Sequence, residues 1–456
     1  MKSLQTVFCI LLVLGGTLTA PAQQAGSLTV ALTGDSIITQ RMSVYDEPDY
    51  LALVEVLRGA DVAFTNFEML LHNYEGAPAP VSGGTYMAAP PPLARELVWM
   101  GFDLVSTANN HSFDYGAEGL LSTLRGLADA GLVAAGTGEN LARARAPGYL
   151  ETRRGRVALV AAASTFTPMA PAGEQRKDLR GRPGLSPLRY HTTYYVDAEG
   201  LATLQRLKQA LGMRRRRQSP GEVERLNFLR REFVRGEPPR IETRPDPDDL
   251  GGIVQAVGEA QRQADWVIVS LHAHESAGKR ETPAGFIVQF AHAVVDAGAD
   301  IVAIHGPHVL RPVEIYRGRP IFYSLANFIF QNETVAFLPD EIYRRYGVDP
   351  SRTPADVYDA RTQAGQRGFP ANPIFWESVV ALVSFADGRL QDVRLYPILL
   401  GHGKPRSQRG RPILARAEEG ARILEHLASL SKSFGTQIEV REVLDRAVGY
   451  VKLPKE

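Results

Sequence analysis

The stretch Asp300-Ile301-Val302-Ala303-Ile304-His305-Gly306-Pro307-His308 decides how the rest of the chain is interpreted. It opens with an apolar run that is typical of a buried strand. Gly306 and Pro307 exclude a regular helix or strand between the two histidines, so the sequence predicts a tight turn, which Gly306 frees and Pro307 fixes. Such a turn at the carboxyl end of a strand can direct both imidazoles at one point, as two metal ligands require. A surface loop that carries two histidines is the alternative interpretation.

Polar clusters also follow the other strand-like runs of the chain. Between the first runs lie helix-like segments, at 50–58 and 117–130. This alternation predicts an α/β fold around a mostly parallel sheet, in which ligands collect at the carboxyl ends of the strands. We therefore expect one site, assembled from distant parts of the chain. The clusters that follow the strand-like runs are Asp35, Asn66 with Glu68, Asn110 with His111, His272 with His274, and His305 with His308.

The chemistry of these clusters favours a metal site over a simpler explanation. Asp or Asn after a strand commonly caps the next helix, so each cluster taken singly has a structural interpretation. Convergence of several clusters is harder to explain by capping. Hard oxygen ligands mixed with imidazoles suit Zn, Mn or Fe, and several carboxylates with four histidines can hold two ions. We expect a divalent metal cofactor of two ions, whose identity the sequence does not specify.

Composition indicates a globular protein. The chain has 456 residues, of which 44% are apolar and 22% charged, so it can bury a large core. Its formal net charge of +1 does not indicate a nucleic-acid partner. The local basic run Arg214–Arg217 is interpreted as a solvated patch.

Residues 1–22 are predicted to be a signal peptide. Lys2 supplies the positive start, residues 7–14 the apolar stretch, and Ala20-Pro21-Ala22 a small-residue cleavage site. We expect an exported protein, periplasmic or extracellular. If the signal stays uncleaved, the segment would be a short membrane anchor instead. The single cysteine, Cys9, lies in this segment, so a metal site of the mature protein would be built from His, Asp, Glu and Asn.

Two stretches interrupt the alternation of strands and helices. Residues 167–249 are rich in Pro, Gly and Arg and are predicted to be an insertion that carries polar helices at 198–211 and 222–235. Residues 331–372 are too long for an ordinary connection and are predicted to form a lid or a binding loop.

The last part of the chain is predicted to pack on the same domain. Two β-prone runs flank Asp387-Gly388, which indicates a β-hairpin. We expect residues 27–400 to form one domain with both insertions, and residues 401–456 to form a helical extension packed on it.

Taken together, the motifs resemble a known family, the CapA family of capsule-synthesis proteins in poly-γ-glutamate production. That family is similar in fold to the calcineurin-like metallophosphoesterases. The motifs occur in the order of the family and cover residues 28–330, and such a series is specific although no single member is. The resemblance lies in Gly34-Asp35, Asn66-Phe67-Glu68, the stretch from Ala108 to Gly116, the stretch from Gly136 to Asn140, His272, the stretch from Asp296 to Asp300, His305-Gly306-Pro307-His308, and the stretch from Tyr323 to Phe328.

The resemblance implies a four-layer α/β sandwich of the calcineurin-like metallophosphoesterase type, with a dinuclear site at the strand ends. His111 would be the catalytic residue that donates a proton to the leaving group. The implied metal ligands are Asp35 and His308 for one ion, Asn110, His272 and His305 for the other, and Glu68 as a bridge. The residues expected to bind substrate are Asn66, His274, Ser324 and Asn327.

The function implied is that of an exported, metal-dependent hydrolase that acts in poly-γ-glutamate capsule or cell-surface polymer biosynthesis. Its expected partners are an anionic cell-surface polymer or a phosphoester substrate, with a membrane-bound polymer synthase complex as a further candidate and no nucleic acid. Two alternatives stay open at this point. One is a non-catalytic factor for polymer assembly or export, and the other is an amide hydrolase that cleaves γ-glutamyl bonds with the same two ions.

Overall fold

A computed structural model describes residues 26–213 and 224–454. The predicted signal peptide, Cys9 and the whole basic run at 214–217 lie outside the described residues. The α-helices are α1 (Pro48–Arg58), α2 (Ala94–Met100), α3 (Gly116–Asp129), α4 (Leu141–Arg145), α5 (Ala198–Ala210), α6 (Pro247–Gln263), α7 (Gly285–Asp296), α8 (Asp340–Arg345), α9 (Pro354–Thr362) and α10 (Ala417–Ser431).

The strands in chain order are β1 (Leu28–Ile37), β2 (Val62–Phe67), β3 (Leu70–Leu71), β4 (Ala88–Ala89), β5 (Leu104–Ser106), β6 (Val133–Ala135), β7 (Thr137–Gly138), β8 (Gly148–Thr152), β9 (Gly155–Ala163), β10 (Gly184–Leu185), β11 (Tyr190–Val196), β12 (Arg225–Phe228), β13 (Arg231–Arg235), β14 (Arg240–Pro245), β15 (Trp266–His272), β16 (Ile301–His305), β17 (Val313–Tyr316), β18 (Arg319–Phe322), β19 (Asn327–Phe330), β20 (Glu377–Ala386), β21 (Arg389–Leu399), β22 (Ile413–Leu414), β23 (Ile438–Val443) and β24 (Arg446–Val451).

Two large mixed sheets form the centre of the molecule, so the predicted α/β class is confirmed. The first runs in the order β23-β24-β21-β20-β1-β2-β5-β6, with β19 also paired to β1 and β22 to β21. The second runs in the order β17-β18-β16-β15-β9-β8. In the first sheet the strands from β1 to β6 are parallel, and the other half, from β20 to β23, continues from β1 in antiparallel pairs. In the second sheet the four central strands are parallel, and β17 and β8 pair antiparallel at its edges.

One hydrophobic core lies between the two sheets, and two more lie on their outer faces. Leu32 of β1 and Ile268 of β15 share the inner core. Their neighbours Ala31 and Val267 point the other way, because successive side chains of a strand alternate between faces. On those outer faces the first sheet packs against α1, α2 and α3, and the second packs against α6 and α7. Helices thus cover the outside of both sheets.

The insertion differs from the helix predicted at residues 222–235, because the described part of this stretch, from Arg225 to Arg235, forms a hairpin. Strands β12 and β13 belong to a small sheet of order β12-β13-β11-β14. Leu226 and Phe228 are buried while the residue between them is exposed, and both contact Leu201 of α5. Leu229 and Arg230 turn the chain with φ values of 49° and 59°. The helix prediction was wrong because the many Arg and Glu side chains conceal the alternation of buried and exposed residues that is typical of a strand.

The C-terminal stretch is only partly helical, which corrects the predicted helical extension. It contains α10, and it also contains the hairpin β23-β24, which continues the first sheet through pairing of β24 with β21. The hairpin predicted at Asp387-Gly388 is confirmed, and both turn residues have positive φ. Within residues 26–213 and 224–454, no helix combines the length and apolar character needed to span a membrane.

Candidate metal centre

Asp35 lies near the end of β1, between two strands that run parallel to it. It is in register with Asn66 of β2 and with Asn327 of β19. Gly34 permits this close approach, because a Cβ atom there would overlap the carbonyl oxygen of Ala326. The carboxylate is fully buried and accepts a hydrogen bond of 2.8 Å from Nδ2 of Asn66. The position of this acid is therefore set by three neighbouring strands.

The predicted turn between His305 and His308 closes over Asp35. His305 ends β16 directly beside His272, the last residue of β15. Gly306 has a φ of 114°, and a Cβ atom there would lie 3.1 Å from Nε2 of His272. Its backbone N–H donates to Oδ2 of Asp35 at 3.1 Å. The turn thus joins the strand ends of one sheet to those of the other.

A first group of potential ligands consists of Asp35, His272 and His305. Oδ1 of Asp35 lies 3.6 Å from Nδ1 of His305 and 3.9 Å from Nδ1 of His272. Two ligands of one ion, each about 2.0 to 2.2 Å from it, are themselves about 3 to 4 Å apart. These three donor atoms therefore have the spacing of a metal site.

A second group is centred on Glu68, just beyond the end of β2. Oε1 of Glu68 lies 3.8 Å from Nε2 of His308 and 3.9 Å from Nε2 of His272. Oδ2 of Asp35 lies 3.4 Å from Nδ1 of His308. His274, expected to bind substrate, also falls within ligand distance of Glu68 and His272. The structure thus brings five of the six predicted ligands together and places His274 with them.

The two carboxylates need a positive charge that the protein supplies only in part. Burial raises the pKa of Glu68 well above its ordinary value, and the negative charges of Asp35 and Asp114 raise it further. Burial also acts to raise the pKa of Asp35, but the hydrogen bond and the charge of His308 outweigh it, so that pKa is lowered. Neither oxygen of Glu68 has a hydrogen-bond partner within the described residues. A buried carboxylate without donors fits a divalent cation between the histidines.

Three of the imidazoles, those of His272, His274 and His305, are in the state that metal ligation requires. Burial lowers the pKa of His305 to about 4 and that of His274 to about 3. Burial, together with the neighbouring imidazoles, places the pKa of His272 well below its ordinary value. The rings are therefore neutral at neutral pH, and neutral imidazole is the form that binds metals.

Asn110 presents an amide oxygen that also lacks a partner. Its Nδ2 donates to the carbonyl oxygen of Gly83 at 2.9 Å, which fixes the orientation of the amide. Its Oδ1 is buried and makes no hydrogen bond within the described residues. An amide oxygen left free in this way fits the predicted role of a metal ligand.

His111 is held more firmly than the sequence suggests. Its ring is buried, and Nδ1 lies 2.6 Å from Oδ2 of Asp114. The opposite nitrogen, Nε2, lies 4.0 Å from Oε1 of Glu68. Asp114 therefore anchors the ring within the core. His111 still faces the candidate centre with one free nitrogen.

Three of the four residues expected to bind substrate are fully buried and support the site. Asn66 bonds to Asp35, as described above. Oδ1 of Asn327 accepts a hydrogen bond of 2.8 Å from Nδ1 of His308, and Nδ2 of Asn327 donates to the carbonyl oxygen of Phe375. The hydroxyl of Ser324 accepts from the N–H of Ala326. All three are as deeply buried as Asp35 and Glu68.

Two supporting residues escaped the sequence interpretation. Asp114 orients His111 and also accepts hydrogen bonds from the N–H groups of Gly83 and Met87. Ser270 places its hydroxyl 2.6 Å from Nε2 of His305, which leaves Nδ1 of that ring for Asp35. Each carried a weak signal, since Asp114 follows His111 at a spacing of three and Ser270 is a lone polar residue in an apolar run.

Comparison with known proteins identifies a family for this chain. A family model described as bacterial capsule synthesis protein PGA_cap matches residues 29–332. "Uncharacterized protein y4sH" of Sinorhizobium fredii is 37% identical over 439 residues, which cover 93% of each chain. "PGA biosynthesis protein CapA" of Bacillus subtilis is 26% identical over 60% of this chain and 54% of its own length. "Capsule biosynthesis protein CapA" of Bacillus anthracis is also 26% identical, over 60% of this chain and 51% of its own.

The matched region contains Asp35, Glu68, His272 and the His305–His308 turn, and it agrees with the span that carries the sequence motifs. We conclude that this chain belongs to the PGA_cap family of bacterial capsule synthesis proteins, the CapA family that its motifs predict.

Proposed function

We propose that this protein is a metal-dependent hydrolase of capsule or cell-surface polymer biosynthesis, acting on an anionic polymer or a phosphoester. The observation that carries the proposal is Glu68, a fully buried carboxylate without a hydrogen-bond donor. It lies 3.8 to 4.0 Å from the nearest nitrogens of His308, His272 and His111. A purely structural carboxylate in such a position would be expected to have donors.

The ligands we propose are those of the two groups described above. Asp35, His272 and His305 would hold one ion, Asp35, Glu68 and His308 a second, and Asn110 would complete the set. In the ligand set that the family resemblance implies, Glu68 alone bridges the two ions. Here Asp35 belongs to both groups. Divalent ions bound there would supply Lewis-acid activation of the scissile group and of the attacking water.

His111 would act as the proton donor of the reaction. Asp114 holds its Nδ1 and leaves Nε2 turned toward Glu68, on the side where a substrate would contact the centre. A group held in this way can pass a proton from Nε2 to a leaving oxygen or nitrogen. Because the same step serves an ester and an amide, the proposal includes γ-glutamyl bonds among the candidate substrates.

The fold and the domain division are part of the proposal. We propose that the two sheets with their outer helices are the four-layer sandwich of the calcineurin-like metallophosphoesterases. Residues 27–400 would form that domain with both insertions, and residues 401–456 would complete it at the sheet edge. The packing of β24 on β21 supports this, because the last residues of the chain then belong to the same sheet as β1.

We further propose that residues 1–22 direct export. The test is to compare the N-terminal sequence and the cellular fraction of the full chain with those of a chain that starts at Gln23. Export of the full chain, with a new N-terminus near Gln23, is the expected result. Equal fractionation of both chains would contradict it.

The decisive experiment measures metal content and hydrolysis on the same preparations. The purified protein is assayed for bound Mn, Zn and Fe, then screened against phosphoesters and poly-γ-glutamate. We expect His305→Ala to lose both metal and turnover, and His426→Ala, at an exposed position of α10 and in neither ligand group, to keep both. A protein that binds metal and the polymer but hydrolyses nothing would instead be a non-catalytic assembly or export factor.

A further inference from the structure

A cavity of about 440 Å³ lies beside the candidate metal centre. Phe369 forms part of its wall, and the ring of Phe369 lies 5.3 Å from the ring of His308, measured between centroids. Arg280 forms another part, and its Nη1 lies 3.4 Å from the carbonyl oxygen of Pro307, within the histidine turn. The cavity and the candidate centre therefore share a wall.

Most of the cavity wall comes from the segment that the sequence predicts to be a lid or a binding loop. This segment contributes residues from Asn332 to Pro370, including part of α9. Only Arg280 and Phe375 come from outside it. The guanidinium carbon of Arg280 lies 5.3 Å from the centroid of the Phe375 ring, so a cation–π contact holds this arginine at the cavity.

The wall of the cavity carries excess positive charge. Arg280, Arg361 and Arg367 all line it, and within the described residues none of them has an ion pair with a carboxylate. Arg361 donates a hydrogen bond to the hydroxyl of Thr85, which is uncharged. The one acid of the wall, Glu333, is already neutralised by Arg409. Three guanidinium groups around one cavity are therefore available to an anionic ligand.

We propose that this cavity binds the carboxylate groups of a polycarboxylate chain, whose adjoining part lies across the candidate metal centre. The contact of the chain with the metal centre rests on the proposed function, whereas carboxylate binding in the cavity does not depend on it. Guanidinium groups match carboxylates in pairs of parallel hydrogen bonds, which makes arginine the residue suited to this recognition. Several arginines on different walls suit a ligand that repeats its charge along a chain. A single small anion would engage only part of them.

The test measures binding and not turnover, so that it stays independent of hydrolysis. The probe is a γ-linked oligoglutamate, titrated calorimetrically into the full protein with and without metal, the latter prepared with a chelator. We expect the doubly substituted protein Arg280→Gln with Arg367→Gln to bind the probe about 10- to 100-fold more weakly, from the loss of two charge-assisted hydrogen bonds. The substitution Arg262→Gln, at an exposed position of α6, serves as the matched control and should leave affinity unchanged.

Single substitution at Arg367 controls for an effect of the double variant on metal binding through the histidine turn. Arg367 is exposed and makes no contact with the histidine turn, whereas Arg280 does. Weaker binding by Arg367→Gln, with unchanged metal content, supports the proposal. Unchanged binding by the double variant overturns it.

Inorganic phosphate is the second probe and separates a polycarboxylate site from a single-anion site. Tighter binding of oligoglutamate than of phosphate, with a loss on substitution, supports the proposal. Equal affinity for both probes overturns it in favour of a site for one small anion. If oligoglutamate binds in the metal-free protein while no substrate is hydrolysed in the metal-loaded one, the cavity is supported and the hydrolase function alone is contradicted.

Discussion

His111 is the residue at which an enzyme and a polymer-binding protein differ most. Its Nδ1 is fixed by Asp114, and its Nε2 faces Glu68 at 4.0 Å. A histidine that ligates a metal commonly makes the same hydrogen bond through its other ring nitrogen, so this geometry fits a ligand as well as a proton donor. The metal content of a His111 variant distinguishes the two roles.

Replacement of His111 by alanine should leave metal and fold intact and lower turnover. The expected decrease is about 10²- to 10⁴-fold, the usual effect of a positioned acid or base. Metal content by elemental analysis and turnover on the same sample give the two readouts. Loss of metal from the variant would identify His111 as a ligand and contradict the role of proton donor.

The raised pKa of Glu68 predicts that metal binding releases a proton. Burial raises the pKa of Glu68 well above its ordinary value, so a proton on this carboxyl competes with metal, whereas burial lowers the pKa of His305 to about 4 and leaves that ring neutral at pH 7. We expect metal uptake at pH 7 to release about one proton, and affinity to increase with pH as Glu68 ionises. An ordinary imidazole pKa of about 6.5 would place the competition on the histidines, but the lowered pKa of His305 moves that effect to about pH 4.

The measurement is calorimetry of metal binding in buffers with different ionisation enthalpies. Glu68→Gln should bind metal more weakly and release no proton. An isosteric control is Glu425→Gln, on the exposed side of α10. Proton release that persists in Glu68→Gln would assign the proton to another group.

At the scale of elements, the residues at the strand ends were predictable from the sequence. The residues that contact and orient them were not. Apolar runs such as 301–304 mark strands that are buried on both faces, and the residue that follows each run is visible in the sequence. What each of these residues contacts depends on which strands become neighbours. The roles of Asn66 and Asn327 beside Asp35 follow from pairing of β1 with β2 and β19, which sequence periodicity does not contain.

The turn after β16 provides a test at this scale. A methyl group on Gly306 would lie 2.7 Å from Cδ2 of His274, at a φ of 114° that side chains rarely adopt. We expect Gly306→Ala to lose metal affinity and about 1 to 3 kcal/mol of stability. Gly278→Ala is the control, since Gly278 also has a positive φ of 82° but has no atom within 4 Å of the added methyl. Equal metal content in both variants would show that the turn tolerates displacement.

At the scale of the whole molecule, the second sheet carries a buried titratable carboxyl group at the end opposite the candidate centre. Asp300 precedes β16 at the end opposite the candidate centre, and burial raises its pKa from 3.8 to about 6, although Arg319 opposes this. Between about pH 4 and pH 6, Asp300 therefore keeps its proton in the folded protein and loses it in the unfolded chain. The stability that this proton contributes is fully present below about pH 4 and is lost as the pH rises through about 6.

Asp300→Asn should remove this dependence. The free energy of unfolding of the variant, relative to that of the wild type, should increase between pH 4 and pH 6 and stay level above that. Urea denaturation at several pH values measures it, with Asp296→Asn, an exposed position, as control. A constant difference between variant and wild type across this window would contradict the raised pKa.

The hydrogen bond from Gly306 to Asp35 joins groups that are 271 residues apart in the chain and belong to different sheets. Contacts of such long sequence separation form late in folding, because closing the intervening loop has a large entropic cost. The ligand set therefore exists only after both sheets have docked, and an ion bound there stabilises the finished protein by mass action without assisting the earlier steps. If the chain crosses a membrane unfolded, as the proposed export implies, the metal it acquires is decided by the compartment in which it folds and not by the one in which it is synthesised.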